Sequence, residues 1–76
     1  MGWQTKFWKP IKLKDGRTIA TLADARMLIM ELPPHHQNKP DWENAGELLP
    51  RASRSISLTD VALAQVLRAL KAEGLV

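Results

Sequence analysis

The chain has 76 residues, which is enough for one small domain and too few for two. It contains no cysteine, so the sequence excludes disulfides, thiolate metal sites and a cysteine nucleophile. The formal net charge is only +3, and 45% of the residues are hydrophobic, which is typical of a folded globular protein rather than of a disordered chain.

The first predicted element is a β-hairpin over residues 7–21. Ile11 and Leu13 alternate with lysines, which is the pattern of a half-buried strand, and an Asp-Gly pair marks the turn after them. A two-residue loop would place Ile19 on the lysine face, whereas a three-residue loop pairs Ile19 with Ile11 and keeps the apolar residues together. We therefore predict the three-residue loop, with Gly16 in the left-handed conformation of a bulge.

The next predicted element is a helix over residues 22–32. Thr21 can cap its first turn, with Asp24 at the third helical position as the capping-box partner. Leucine, alanine and isoleucine recur along it at helical spacing and give it one buried face. The Pro33-Pro34 pair ends the helix, because proline lacks an amide hydrogen and disfavours helix in the residue before it.

A second helix is predicted over residues 39–49. Asn38 is the expected N-cap, and the proline and carboxylates of the first turn suit the positive end of the helix dipole. Pro50 interrupts the apolar face of this helix. The helix therefore either ends near Leu49 or is kinked there, with Gly46 one turn back to reduce the steric clash.

The last predicted helix, over residues 58–73, has the clearest amphipathic pattern. Ser57 and Asp60 have the spacing of a capping box at its start. Gly74 ends the helix, and Leu75 is placed to complete a Schellman motif.

Together these elements predict the α+β class: a single small domain over residues 1–76, with an N-terminal β-hairpin packed against two or three helices. We assign no element to residues 1–5 and expect a flexible start there. The predicted core consists of Ile11, Leu13, Ile19, Leu28, Ile29, Trp42, Leu49, Leu63, Leu67 and Leu70.

Two adjacent histidines, His35 and His36, are the residues that most suggest a metal or catalytic site. Metal ligands must converge from separated points, whereas neighbours in an extended loop point apart, and the sequence has no third histidine and no cysteine. We therefore interpret them as solvated loop residues and predict no metal and no cofactor. The chain also has no nucleophile elbow, Gly-rich phosphate loop or paired-carboxylate motif, so we predict no enzyme activity.

The N-terminal segment is both basic and aromatic. Five of the eleven lysines and arginines lie in the first seventeen positions, against a single acid. Aromatic side chains interleaved with lysines can stack on bases and neutralise phosphates, although a basic solvent-facing hairpin is the simpler interpretation. The candidate nucleic-acid or partner surface consists of Trp3, Lys6, Trp8, Lys9, Lys12 and Lys14.

Protein association is the favoured hypothesis, either as a homodimer or with another protein. A two-stranded hairpin is marginal alone and has exposed edges, and Pro10 places the first strand at an edge. Nucleic-acid binding is the alternative. A helix-turn-helix fits poorly, because the last helix begins with Asp60 near its start, where base contacts should be, and its basic Arg68 and Lys71 come late.

No apolar run approaches the about 18 residues of a membrane span, and the N-terminus lacks the apolar core of a signal peptide. We therefore expect no membrane partner and a cytoplasmic protein.

Several short motifs occur in an order that resembles a known family. They are Trp8 to Pro10, Asp15 to Arg17, Leu22 to Ala25, Leu32-Pro33, and Trp42 with Ala45 and Leu49, followed by an Ala-rich final helix. Over nearly the whole chain from Phe7 onward they resemble a family of short bacterial proteins, domain of unknown function nine-eighty-two. The resemblance implies a compact α+β fold without an assigned activity, so it transfers no functional residue.

Overall fold

Two antiparallel strands are followed by four α-helices in the computed structural model, which describes residues 2–76. The predicted α+β class is confirmed, with the hairpin at the N-terminus packed against helices in a single small domain. None of the helices in this described part is long and apolar enough to cross a bilayer. The elements are β1 (Lys6–Lys12), β2 (Thr18–Thr21), α1 (Leu22–Glu31), α2 (Pro34–Gln37), α3 (Pro40–Arg54) and α4 (Thr59–Ala72), with 3-10 turns at Gly2–Gln4 and Ile56–Leu58.

The hairpin has the predicted three-residue loop. Ile11 pairs with Ile19, and the amide of Leu13 donates to the carbonyl of Arg17 at 2.8 Å. Gly16 has a φ of +96°, a conformation that side chains with a Cβ adopt only at a cost. The register is therefore the one that keeps the apolar residues of the hairpin on its buried face.

β1 contains an irregularity that the sequence analysis does not predict. Lys6 pairs with Thr21 and Ile11 pairs with Ile19, so β1 advances further than β2 between the two pairs and a bulge results. Pro10 lies inside this bulge. Proline cannot donate to a strand ladder, so its position where the pairing is interrupted has a direct physical cause.

Two neighbouring aromatic side chains of β1 lie on opposite faces of the strand. Phe7 is 4% exposed and packs in the core, whereas Trp8 is 73% exposed. Successive side chains of a β-strand point to opposite faces, so this arrangement follows from the strand itself. As a result, β1 contributes one aromatic residue to the core and presents the next one to the outside.

The core lies between the inner face of the hairpin and helices α1, α3 and α4. The predicted core residues are buried except Ile29 and Leu67, which are half-buried against it. Buried helix residues outside that list also lie on the apolar faces that the sequence predicts; these are Leu22, Ala25, Ala45, Ala52 and Val66. Phe7, Ala62 and Ala69 are buried without having been predicted.

The predicted N-terminal cap of α1 is confirmed, and that of α3 is wrong. The amide of Asp24 donates to the Thr21 hydroxyl at 3.2 Å, and the Thr21 amide donates to the Asp24 carboxylate at 3.2 Å. In contrast, α3 is preceded by Lys39 rather than Asn38, and no side chain caps it. Pro40 occupies its first position, where a missing amide hydrogen costs no helical hydrogen bond.

The predicted end of the second helix is too early, because α3 continues through Pro50 to Arg54. A proline clashes with the carbonyl four residues before it, and here that residue is Gly46, which is exposed and has no side chain. Leu49 and Ala52, on either side of the proline, are both buried. Packing on both sides therefore maintains the helix across a residue that local propensity would use to end it.

The start of α4 also differs from the prediction. Leu58 is its N-cap residue and no side chain caps the helix, so Ser57 and Asp60 do not form the predicted capping box. The hydroxyl of Ser57 instead lies 2.9 Å from that of Ser55. Ser57 lies inside the 3-10 turn Ile56–Leu58 that precedes the helix, so it does not occupy the N-cap position.

The C-terminal end of α4 closes as predicted. Gly74 has a φ of +72°, and the amide of Leu75 donates to the carbonyl of Leu70 at 3.0 Å, as in a Schellman motif. The amide of Lys14 then donates to the carbonyl of Leu75 at 2.9 Å. The end of the chain is thereby attached to the hairpin loop, which positions Val76 beside β1.

Candidate functional site

A groove of about 570 Å³ lies between β1 and α4. It is lined by Trp8–Lys12 on one side, by Leu63, Leu67 and Lys71 on the other, and by Val76. We call it the β1–α4 groove. Its floor is aliphatic, and its side walls belong to elements that are far apart in the sequence.

Three local features build this groove. Trp8 lies on the outward face of β1, opposite to Phe7. Leu63, Leu67 and Lys71 are spaced four residues apart, which places them on one face of α4. The hydrogen bond between the hairpin loop and the residue after Gly74 holds the chain end, and with it Val76, against the same surface.

The charged side chains that line the groove are all basic. Lys9, Lys12 and Lys71 line it, all three are exposed, and no acidic residue is part of its lining. Within the described part of the chain, none of these three lysines forms an ion pair. Uncompensated positive charge beside an apolar surface attracts a partner that carries anionic groups.

The structure divides the predicted surface residues between different places. Trp8, Lys9 and Lys12 lie together in the β1–α4 groove. Lys6 and Lys14 are exposed on the same hairpin but do not line the groove. They therefore lie outside the surface that a ligand in the groove would contact.

Trp3 lies apart from the β1–α4 groove. It is half-buried against the core, in the 3-10 turn Gly2–Gln4, where we expected no element; Met1 lies outside the described residues. The Arg26 guanidinium stacks 5.1 Å from the centroid of its ring. Trp3 therefore covers the core of this chain, and the predicted surface loses one of its aromatic residues.

Sequence analysis misses the α4 side of the groove. From the sequence, Leu63 and Leu67 are predicted to lie in the core, and Lys71 is noted only as a basic residue late in the last helix. The sequence does contain one signal of this side, because Leu63, Leu67 and Lys71 follow one another at four-residue spacing and so lie on one helix face. That spacing alone cannot reveal a groove, because it does not show which side chains the rest of the fold leaves uncovered. Leu63 is 7% exposed, whereas Leu67 is half-buried.

The two histidines lie in the short helix α2 rather than in an extended loop. The ring centroids of His35 and His36 are 4.2 Å apart. In residues 2–76, no group of three His, Cys, Asp or Glu side chains is arranged to hold a metal ion. His36 is nevertheless more than a solvated loop residue, because its Nδ1 lies 3.0 Å from Oε2 of Glu73. This nitrogen is buried, and its contact with Glu73 is poorly aligned for a hydrogen bond.

Glu73 connects three helices near the end of α4. The Lys39 ammonium donates to its Oε1 at 2.7 Å, and the side chain of Glu73 is 9% exposed. The carboxylate is covered locally but is not deep in the fold. The hydrogen bond from Lys39, and after it the contact with His36, outweighs desolvation and holds the pKa of Glu73 below its usual value of 4.5.

This lowered pKa predicts a pH dependence of stability. A carboxyl whose pKa is lowered by folding contributes stability above its unfolded pKa, and this contribution is lost as the pH falls through the folded pKa. We expect Glu73→Gln to be less stable than the wild type near neutral pH and to lose less stability between about pH 5 and about pH 3. Chemical denaturation over this range measures the difference. Glu47→Gln, at an exposed position on α3, is the matched control and should follow the wild-type curve; parallel curves for Glu73→Gln and the wild type would contradict the assignment.

Comparison with known proteins gives no relative: no protein-family model, curated protein or solved structure matches this chain. The resemblance to domain of unknown function nine-eighty-two therefore stays a prediction. Function has to be inferred from the chemistry of the β1–α4 groove.

Proposed function

We propose that this protein is a non-enzymatic protein-interaction module that binds a segment of another polypeptide in the β1–α4 groove. The observation that supports it is Trp8, which is 73% exposed beside an aliphatic floor. Tryptophan is enriched among the residues that contribute most to protein–protein binding. Membership of the resembled bacterial family and the cytoplasmic location expected from the sequence are part of this proposal.

The charge of the groove favours a different protein over a second copy of this chain. In a two-fold dimer formed groove to groove, each surface meets itself. Lys9, Lys12 and Lys71 would then approach the same three lysines of the other copy, and like charges oppose association. A homodimer would have to use another face, whereas a partner of opposite charge can use this one.

Binding of single-stranded nucleic acid is the second candidate. It is favoured by the combination of exposed Trp8 with lysines, since a base can stack on the indole while the lysines neutralise phosphates. Against it, Trp8 is the only aromatic lining residue, since Phe7 is buried and Trp3 lies elsewhere. An aliphatic floor matches the side chains of a peptide better than it matches a stack of bases.

Affinity capture with matched variants tests the proposal. Wild type, Trp8→Ala and Ile56→Ala are immobilised and exposed to extract of the producing cell, with and without nuclease. Ile56 is 80% exposed and outside the groove, so it controls for the loss of any large exposed apolar side chain. We expect a protein captured by wild type and Ile56→Ala and reduced about tenfold or more by Trp8→Ala. Equal capture by all three would contradict the proposal, and capture abolished by nuclease would support the nucleic-acid candidate instead.

A further inference from the structure

We infer that the polypeptide segment bound in the β1–α4 groove is acidic and amphipathic. Its carboxylates pair with Lys9, Lys12 and Lys71, and its apolar side chains cover the surface formed by Leu63 and Leu67. This inference rests on the proposed function and adds to it the chemistry of the partner.

The distribution of ion pairs provides the first argument. Elsewhere in residues 2–76 some cations contact carboxylates, as Arg17 does with Asp15 at 2.9 Å and Lys39 with Glu73 at 2.7 Å, while others, such as Arg51, contact none. What distinguishes the groove is that three cations meet beside an apolar surface without an acidic side chain among them. The lysines of the groove form no such pair within residues 2–76. The fold thus leaves unpaired the positive charge that borders its apolar groove, and a carboxylate from outside can pair with it.

The floor of the groove provides the second argument. Leu67 is half-buried and faces the opening together with Ile11 and Val76. The volume of about 570 Å³ lies within the range of about 300–1,000 Å³ that is common for binding pockets. Apolar side chains of a bound segment would remove this surface from water, which is the main favourable term in protein association. The lysines and the aliphatic floor of the groove together fit a partner that carries both carboxylates and apolar side chains.

The same combination argues for a peptide over a nucleic acid. Phosphates would neutralise Lys9, Lys12 and Lys71 but would leave the aliphatic floor uncovered. An acidic amphipathic segment satisfies both parts of the groove at once. Such a segment can bind as a helix, with its apolar residues at helical spacing, or as an extended chain.

Selection from a random-peptide display library tests the inference with the full chain as bait. Bound peptides are counter-selected on the Trp8→Ala variant, and circular dichroism confirms that the variant is folded. We expect the retained peptides to contain Asp and Glu beside Leu, Ile or Phe in clear excess over the unselected library. Peptides that need Trp8 but show no acidic excess would overturn the inference and leave the proposed function standing. Failure to retain any peptide would overturn both.

Charge variants test the same point with one synthetic peptide from the selection. The triple variant Lys9→Gln, Lys12→Gln and Lys71→Gln should weaken its binding about tenfold or more, and added salt should weaken the wild-type complex. The double variant Lys6→Gln and Lys14→Gln is the matched control, because these lysines are exposed but outside the groove. It should bind within about twofold of wild type, since charges beyond the contact are screened. Equal weakening by both variants, or tighter binding of oligo(dT) than of the peptide, would overturn the inference.

Discussion

A Phe7→Ala variant is expected to lose about 3–5 kcal/mol of unfolding free energy, whereas Trp8→Ala should change it by about 0.5 kcal/mol or less. The two residues are neighbours in β1, but Phe7 is 4% exposed in the core and Trp8 is 73% exposed. A chain of this length has a total stability of about 4–11 kcal/mol at roughly 0.05–0.15 kcal/mol per residue. Phe7→Ala should therefore unfold a large part of the protein, and Trp8→Ala should leave it folded.

Urea denaturation followed by far-ultraviolet circular dichroism measures both variants. Each variant is the control for the other, because both remove one aromatic side chain from β1. Similar losses for the two variants would mean that Phe7 and Trp8 do not lie on opposite faces of β1. In that case the exposed indole could not be assigned to binding.

Trp42 is expected to be the other position of large effect. It is 1% exposed and is the largest of the fully buried side chains, so Trp42→Ala should lose about 3–5 kcal/mol through lost contacts and the cavity that remains. Trp42→Phe should lose less than about 1.5 kcal/mol, because it keeps most of the buried surface. The indole Nε1 is buried without a hydrogen-bond partner in the described structure, so removing it deletes an unpaired polar group.

The same denaturation experiment distinguishes the two Trp42 variants. A midpoint for Trp42→Phe close to that of wild type, with Trp42→Ala mostly unfolded, is the expected result. If Trp42→Phe were as damaging as Trp42→Ala, the indole N–H would have to make a stabilising hydrogen bond that the structure does not contain.

The parts of the fold that follow local rules could be predicted from the sequence. The hairpin register follows because only one loop length keeps Ile11 and Ile19 on the same face. The cap of α1 and the close of α4 depend on residues within a few positions of Thr21 and Gly74. Each of these features has only a few alternative local conformations. The sequence pattern is therefore enough to choose between them.

The features that depend on tertiary packing could not be predicted. The sequence indicates that Pro10 lies in an edge strand, but not that a bulge interrupts the pairing with β2 there. It indicates that Pro50 disturbs a helix, but buried residues on both sides of it keep α3 continuous. In both cases contacts with distant elements decide the outcome of a local conflict.

Only the β1 side of the candidate site could be predicted from the sequence, because its residues are close together in the chain. The basic and aromatic character of β1 is visible in Trp8, Lys9 and Lys12. Lys71 joins them only because α4 packs against β1, and nothing local to Lys71 indicates this neighbour. The contact of His36 with Glu73 is likewise a product of the fold, which brings α2 to the end of α4.

Site-directed cross-linking tests most directly whether the β1–α4 groove is the binding surface. The chain has no cysteine, so single variants Lys12→Cys, in the groove, and Ile56→Cys, outside it, can each carry one photoreactive group. Each labelled protein is irradiated in extract of the producing cell, and the cross-linked peptide is identified by mass spectrometry. The groove account predicts a cross-link from position 12 to an acidic segment of another protein, and none to that protein from position 56. An equal yield from position 56, or a cross-link from position 12 to nucleic acid alone, would contradict it.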